Sequence, residues 1–277
     1  MLPKPPMEIM DLSAVRQTGE SIAEWQLPSG MIPWFPNGHA DPWNHIEAAM
    51  ALDISGLQNE SIRAYQWLAD IQLKDGSWHN YYLDDGIEQD KIDSNCVAYI
   101  ATGVLHHYLV SKDKGFLETM WDVVEPAIDF VLELQTPRGE IIWARHSDGT
   151  PWSYALLTGS SSISHSLRSA IAIANELGLE KPQWEKACQK LIKVIQTMPD
   201  AFAPKERWAM DWYYPVLTGV LRYRYLCSAF GHGAPRFGPG CLPLNFPLVW
   251  SLLPPKIWSL LPPKIWSPTP TPTPMPT

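Results

Sequence analysis

The sequence lacks the features that identify membrane, disulfide-stabilised and nucleic-acid-binding proteins. No stretch reaches the roughly 18 to 20 apolar residues that a membrane span requires, and the N-terminal residues contain no apolar segment of signal-peptide length. The four cysteines stand far apart and form no CxxC pair, so no disulfide framework is expected. The formal net charge is −8 and no basic cluster is present, which argues against a phosphate-binding surface. We therefore expect an acidic cytoplasmic protein that binds no nucleic acid.

Aromatic residues, in contrast, are abundant. The 277 residues include 14 Trp and 10 Tyr, and 45% of the chain is hydrophobic, which is enough for one sizeable core. Large aromatic side chains either fill a core or form the walls of an apolar or sugar-binding cavity. Composition does not distinguish these two uses.

A five-residue phrase, Gln-x-x-x-Gly, recurs along the chain and indicates a repeated architecture. Each copy closes an amphipathic helical stretch and precedes a loop and a helix rich in small residues. Clear copies occupy residues 26–30, 72–76 and 135–139, each followed by a tryptophan (Trp34, Trp78 and Trp143), and a weaker copy occupies residues 196–200. This order is typical of stacked helical hairpins.

The phrase has a structural explanation. A glutamine can hydrogen-bond the exposed backbone at a helix end, glycine adopts the left-handed conformation of the turn, and tryptophan covers the joint. We therefore expect the repeated glutamines and tryptophans to hold the hairpins together rather than to bind ligands.

The repeat stops near Tyr225, and the composition then changes. Residues 229–277 are rich in proline, contain the octapeptide Trp-Ser-Leu-Leu-Pro-Pro-Lys-Ile twice in tandem, and end in Pro-Thr alternation. Consecutive prolines interrupt helices. We expect a helical domain over residues 1–228 and a disordered Pro-rich tail over residues 229–277. We interpret the tail as a replacement of further hairpins, which makes the domain C-terminally truncated.

The order of hairpins resembles the (α/α) toroid, in which inner helices line a central cavity and outer helices surround it. The segment Gln72-Leu73-Lys74-Asp75-Gly76-Ser77-Trp78 is similar to the QW motif of squalene and oxidosqualene cyclases, and similar Gly-rich turns occur in protein prenyltransferase β subunits. The resemblance covers about residues 11–225. It implies an all-α fold, an incomplete α/α barrel of about four helical hairpins. Six-hairpin glycosidases share this barrel.

The catalytic motifs of the two resembling families are absent from the sequence. Terpenoid cyclases carry Asp-x-Asp-Asp, whereas Leu83-Asp84-Asp85 supplies only the last two acids. Protein prenyltransferases bind zinc through Asp-x-Cys, whereas two residues separate Asp93 from Cys96. We therefore transfer no catalytic residue from either family, and we expect neither a metal nor another cofactor.

In such a barrel, the loops that lead into the inner helices meet on one face, together with the N-termini of those helices. Helix dipoles favour anions there. The expected catalytic residues are Asp41, His45, Asp93 and Asp211, and the expected substrate-binding residues are His39, Trp43, Tyr154, His165, Arg168, Trp212 and Tyr213. Of these, His165 and Arg168 are spaced to hold a phosphate or carboxylate, or else belong to a solvated face.

The acidic candidates each have a structural and a catalytic interpretation. Asp41 and His45 lie one helical turn apart, so the pair suits acid–base chemistry; alternatively, Asp41 only caps its helix and His45 bonds a neighbour. Asp93 and Asp211 are either helix caps or, beside an aromatic cavity, acids of raised pKa. Glu47 is a further buried-acid candidate one turn deeper.

Three functions fit this pattern. In the first, the cavity holds a prenyl or terpenoid chain, aromatic faces stabilise carbocations, and an aspartate donates the first proton. In the second, the cavity binds a sugar, and two acids among Asp41, Asp93 and Asp211 act across the glycosidic bond. The third is a non-catalytic repeat scaffold or an enzyme inactivated by truncation. The QW-like copy and the aromatic content favour the first.

Overall fold

The structure, a computed structural model, describes residues 11–204 and 210–221 and is mainly helical there. Aspartate side chains accept backbone N–H bonds at several helix starts, as expected for N-caps, including those of α2 and α4. The helices are α1 (Leu12–Trp25), α2 (Pro42–Ile54), α3 (Gln58–Ile71), α4 (Ser94–Ala98), α5 (Ile100–Ser111), α6 (Lys114–Glu133), α7 (Leu157–Glu176), α8 (Pro182–Thr197) and α9 (Met210–Leu217).

These helices form an inner and an outer row. In the inner row, α2 contacts α5, α5 contacts α7, and α7 contacts α9; the short helix α4 precedes α5 in this row and contacts α2 and α7. In the outer row lie α1, α3, α6 and α8, and each of the first three inner positions contacts a helix of this row. Within the described residues an inner row of helices therefore lies against an outer row, and the prediction of an incomplete (α/α) toroid is confirmed.

The glutamine of each clear phrase joins two neighbouring outer helices. Its side-chain amide donates both to the carbonyl of the glycine in its own phrase and to a backbone carbonyl of the next outer helix. The distances to the second carbonyl are 2.9 Å from Gln26 to Glu60, 2.9 Å from Gln72 to Val123 and 3.0 Å from Gln135 to Ala187. These bonds support the structural role that the sequence predicts for the glutamines.

The tryptophans that follow the phrase divide into two groups. Trp78 fills the core at 1% exposure, and its indole N–H donates to the Leu68 carbonyl at 2.8 Å. Trp34 and Trp143 instead lie near the starts of inner helices, where they contact carboxylates described below. These contacts support the structural role for Trp78, and for Trp34 and Trp143 that role stays a prediction.

Two short sheets lie in the loops that lead into the inner helices. Strand β1 (Tyr81–Leu83) pairs antiparallel with β2 (Gly86–Gln89), and β3 (Ile92–Asp93) pairs antiparallel with β4 (Ala144–Arg145). The exposed turn of the first hairpin contains Asp84 and Asp85. These strands lie in loops that the sequence analysis left without structure, because runs of two to four residues have no usable periodicity.

Helix α7 begins at Leu157 and runs through a segment rich in serine. Serine disfavours helix interiors because its hydroxyl competes with the backbone, but the Ser161 hydroxyl donates to the Leu157 carbonyl at 2.7 Å within the helix. Gly159 lies against the Asn95 side chain of α4. Close packing against a neighbouring inner helix therefore extends the helix toward its N-terminus.

The predicted tail and the domain boundary at residue 228 lie outside the described residues. In the described part of the chain, no helix combines the length and the apolar character needed to cross a bilayer.

Candidate active site

The starts of three inner helices each bring an aspartate to one face of the toroid, which we call the mouth. Asp41 is the N-cap of α2, Asp93 is the N-cap of α4, and Asp211 lies in the first turn of α9. The inner helices contact one another in sequence order, so their N-terminal ends gather at this face. The sequence analysis predicted all three as catalytic candidates.

Asp41 is 4% exposed and is surrounded by hydrogen-bond donors. Its Oδ1 accepts from the Asn44 backbone N–H at 3.1 Å, and its Oδ2 accepts from the Asn44 side-chain amide at 2.8 Å. The Trp34 indole N–H donates to the same Oδ2 at 2.6 Å. The cap interaction and the tryptophan together fix the orientation of this carboxylate.

Asp93 is 7% exposed, and its environment differs from that of Asp41. Burial raises its pKa, while the Lys91 charge, the backbone N–H groups of Cys96 and Asn95, and the Trp143 indole act in the opposite direction. The Lys91 Nζ lies 4.5 Å from the centroid of the Trp143 ring. Asp93 therefore holds a proton more readily than an exposed aspartate does.

The charges of Asp41 and Asp93 both affect two neighbouring side chains, Cys96 and Tyr81. Burial raises the pKa of the Cys96 thiol, and the charges of Asp93 and Asp41 raise it further. Burial likewise raises the pKa of Tyr81, with contributions from the charges of Asp41, Cys96 and Asp93. Asp41 and Asp93 are the N-caps of α2 and α4, and these two helices contact each other, so both carboxylates lie at the mouth.

Asp211 connects the last described inner helix to α7. Its Oδ1 accepts hydrogen bonds from the Thr158 hydroxyl and, at 3.3 Å, from the Thr158 backbone N–H. Its side chain is half-buried. The carboxylate is thus oriented by a residue of the preceding hairpin.

Aromatic rings lie beside Asp41. His39 stacks on Tyr81 with a centroid separation of 4.4 Å, and the Trp34 ring meets His39 edge-on at 4.8 Å. His39 Nδ1 is 2.7 Å from a carboxylate oxygen of Glu88. We call Trp34, His39 and Tyr81 the first aromatic wall.

A second group of rings lies beside Asp93. Trp143 meets Trp152 edge-on at a centroid separation of 4.8 Å and lies 5.6 Å from Tyr154. The charge of Asp93 contributes to a raised pKa of Tyr154, after burial. We call Trp143, Trp152 and Tyr154 the second aromatic wall, so each of the two buried acids has a wall at its side.

The remaining predicted residues occupy different places. Trp43 is half-buried on the inner side of α2 and stacks on Tyr99, and Tyr213 is exposed on α9. Trp212 also lies on α9, but its side chain is outside the described part of the structure. His165 is half-buried on α7, and burial lowers its pKa well below the ordinary histidine value.

His45 does not form the predicted pair with Asp41. The ring is 1% exposed; its Nδ1 accepts from the Ile32 N–H at 3.1 Å, and its Nε2 donates to the Ala64 carbonyl at 2.9 Å. Burial lowers its pKa to about 4. Both nitrogens bond the backbone of neighbouring segments, which favours a structural role for His45 over the predicted role in proton transfer.

Arg168 is buried on α7, and its hydrogen bonds join helices. Its Nε donates to the Ser164 carbonyl at 3.1 Å, and its guanidinium also donates to the Thr218 carbonyl, beyond the end of α9. These contacts favour a role in holding α9 against α7 over the predicted role in binding a substrate anion.

Sequence reasoning missed Trp34, Tyr81 and Trp143 as members of the mouth. Trp34 and Trp143 were assigned to the hairpin joint because they follow the repeated phrase. Their exposure was the distinguishing property: Trp34 is 46% exposed, whereas Trp78 is 1% exposed. Along the sequence, Trp34 and Trp143 stand further from the glycine of their phrase than Trp78 does. This separation was a usable signal that the tryptophans have different positions.

Comparison with known proteins gives one strong sequence match. No family model matches the chain. Over 207 residues, or 75% of its length, the chain is 50% identical to a protein of Mycolicibacterium hassiacum named MMP endo-(1,4)-3-O-methyl-alpha-D-mannosidase. The match covers 57% of that protein, so the chain spans little more than half the length of this relative.

Solved structures share the fold at low sequence identity. An unsaturated glucuronyl hydrolase specific for heparin matches with a TM-score of 0.53 and 13% identity, over 68% of this chain and 56% of that one. A D-mannose isomerase matches with a TM-score of 0.51 and 14% identity, over 69% of this chain and 52% of that one. At such identities the likeness shows the toroid fold alone.

The expectation of a prenyltransferase or terpenoid cyclase is wrong. The sequence relative at 50% identity is a mannosidase. The mouth agrees with this correction, because it holds several carboxylates together with polar groups such as Lys91 and Asn44, whereas a cavity that stabilises carbocations is mainly apolar and aromatic. The QW-like copy reflected the shared hairpin joint and carried no information about chemistry.

Proposed function

We propose that the chain is a glycoside hydrolase that cleaves internal 1,4 linkages between 3-O-methyl-α-D-mannose units. The observation that carries the proposal is the pair of buried carboxylates, Asp41 and Asp93, which cap two contacting inner helices beside the aromatic walls. Glycosidases typically use two carboxylic residues that flank the scissile bond. The substrate is taken from the name of the relative from M. hassiacum.

The different environments of the two acids support different roles. Burial raises the pKa of Asp93, which suits a general acid that protonates the leaving oxygen. Asp41 is surrounded by the donors of Trp34 and Asn44, which suits an ionised, acceptor-only carboxylate that activates water or attacks the anomeric carbon. Asp211 is oriented by Thr158 and is a third candidate at the same mouth.

The aromatic walls support an internal mode of cleavage. Sugar rings present apolar C–H faces that stack on aromatic side chains. The first wall lies beside Asp41 through Trp34, and the second lies beside Asp93 through Trp143. A polysaccharide that contacts both walls extends in both directions from the acids, as internal cleavage requires.

The test is hydrolysis of 1,4-linked 3-O-methyl-α-D-mannose oligosaccharides by the full chain, with product lengths measured by mass spectrometry. We expect shorter oligosaccharides in which one water is added for each bond broken. Asp93→Asn and Asp41→Asn should each lower kcat by about 10²- to 10⁴-fold, the usual contribution of acid–base groups.

Asp113→Asn is the matched control, because Asp113 also caps a helix, accepting from the Phe116 N–H at 3.0 Å, but lies exposed at the start of α6. It should keep the wild-type turnover. The proposal fails if the wild-type chain leaves the oligosaccharides intact, or if the Asp41 and Asp93 variants both cleave them at the wild-type rate.

A further inference from the structure

Below the acids, side chains from three inner segments form what we call the floor of the mouth: Trp43, Glu47, Tyr99 and Tyr214. Glu47 follows Asp41 by six residues on α2, which places it about 9 Å deeper along the helix axis. Tyr99 lies at the junction of α4 and α5, and Tyr214 lies on α9. The floor thus joins three inner segments beyond Asp41.

Direct contacts join the four side chains. The Tyr99 hydroxyl donates to Glu47 Oε1. The Tyr99 ring stacks on Trp43 with a centroid separation of 4.0 Å and an interplanar angle of 9°, and Trp43 lies 6.3 Å from Tyr214. Tyr99 is buried, whereas Trp43, Glu47 and Tyr214 are half-buried. Tyr99 therefore supports the platform from behind, and the other three retain accessible surface.

The charge of the floor favours a neutral ligand over an anion. Burial raises the pKa of Glu47, although the hydrogen bond from Tyr99 acts against this. Burial raises the pKa of Tyr214 to about 12, with contributions from Tyr213 and Glu47. A carboxylate offers several acceptor positions, so Glu47 has capacity for ligand hydroxyls as well as for Tyr99, whereas a phosphate or a second carboxylate would be repelled.

We propose that the floor is a sugar-binding subsite, in which a pyranose stacks on Trp43 while Glu47 accepts hydrogen bonds from the sugar hydroxyls. An aromatic platform beside a carboxylate matches the two surfaces of a sugar, its apolar C–H face and its hydroxyl edge. The inference rests on the proposed function, because the polysaccharide must enter through the same mouth. Tyr99 is a positioning residue that acts through Glu47 and Trp43.

The test measures binding without turnover. In the Asp41→Asn background, isothermal titration calorimetry with a ladder of 1,4-linked 3-O-methyl-α-D-mannose oligosaccharides gives the Kd for each length. Adding Glu47→Gln, which keeps the shape and changes the acceptor, should raise Kd by about tenfold for the oligosaccharide long enough to reach the floor and leave shorter ones unchanged. Trp43→Phe should weaken the same oligosaccharide, since a smaller ring stacks less.

The chain contains a matched control pair. The Tyr108 hydroxyl donates to Glu176 Oε1 at 2.6 Å near the opposite end of α5, on the exposed side of the helices. Glu176→Gln and Tyr108→Phe therefore alter the same kind of contact outside the mouth and should leave every Kd unchanged.

The outcomes separate the inference from the function on which it rests. If the wild-type chain hydrolyses the oligosaccharides and Glu47→Gln binds every length with unchanged Kd, the subsite is refuted and the hydrolase proposal stands. If the wild-type chain neither cleaves nor binds them, both proposals fail. A length-dependent loss of binding in Glu47→Gln, with an unchanged thermal midpoint, supports the subsite.

Discussion

Replacing Gly76 with alanine tests whether the repeated phrase locks successive outer helices together. Gly76 has a φ of +87°, which L residues rarely adopt. A Cβ at this position would lie 2.3 Å from the Pro126 carbonyl oxygen and 2.4 Å from its carbon, both in α6. These are backbone atoms, so the methyl group is accommodated only if the turn and α6 move apart.

The expected loss of stability has three parts. A left-handed alanine costs about 1 to 2 kcal/mol. Separation of the turn from α6 weakens the hydrogen bond from Gln72 to Val123, now 2.9 Å, at about 1 kcal/mol. Overpacking adds about 1 to 3 kcal/mol. The sum of about 3 to 6 kcal/mol is a large fraction of the roughly 5 to 15 kcal/mol that stabilises a typical domain.

The free energy of unfolding from urea titration measures this loss. Gly56→Ala is the matched control: Gly56 has a φ of +79°, but no atom lies within 4 Å of its Cβ position. The Gly56→Ala variant should lose only the cost of a left-handed alanine, about 1 to 2 kcal/mol of the free energy of unfolding. If the two variants lose equal stability with equal denaturant slopes, the close approach of Gly76 to α6 has no energetic role and the locking argument is refuted.

Three further predictions concern the mouth. His45→Ala should lower the free energy of unfolding by about 2 to 4 kcal/mol, because it empties a buried site and removes two backbone hydrogen bonds; a change confined to the pH–rate profile would instead restore His45 as a catalytic residue. Trp34→Phe keeps a ring but removes the donor to Asp41, so kcat in the oligosaccharide assay should fall about tenfold, and an unchanged kcat would contradict the orienting role. Because burial raises the pKa of Asp93, the rate of hydrolysis should decline as the pH rises through that pKa. Asp93 should also contribute stability that is present below its pKa in the unfolded chain, about 3.9, and is lost as the pH rises through its pKa in the folded protein. Urea titrations over this pH range should show a decline in wild type that Asp93→Asn lacks; equal slopes in the two proteins would contradict the raised pKa.

The hairpin frame was predictable because its determinants are local. Gln72 and Gly76 lie within five residues, and each forms its turn with groups of the same segment. What they contact on the next outer helix is backbone, such as the Val123 carbonyl, which every helix presents whatever its sequence. A short motif can therefore specify the joint without any knowledge of the partner helix.

The environment of the acids was not predictable in the same way. Trp143 lies 50 residues beyond Asp93, and Thr158 lies 53 residues before Asp211; neither contact has a local signal. His45 shows the converse error. Its spacing from Asp41 suggested a pair, but the Ala64 carbonyl and the Ile32 N–H, from two other segments, bind its ring. Spacing along a helix gives the face of a side chain, whereas its partners depend on which segments pack there.

In this toroid, helix capping and the proposed chemistry use the same residues. An aspartate that caps α2 or α4 has its carboxylate at the mouth, because these helices begin there, and for Asp93 burial also raises the pKa. The structural and catalytic interpretations of Asp41 and Asp93 are therefore compatible, and a loss of activity in Asp93→Asn is meaningful only beside a measured stability. The exposed cap Asp113 supplies that comparison. Loss of a cap outside the mouth should lower the free energy of unfolding alone, by about 1 kcal/mol, whereas loss of a cap inside the mouth should lower turnover well beyond its effect on folding.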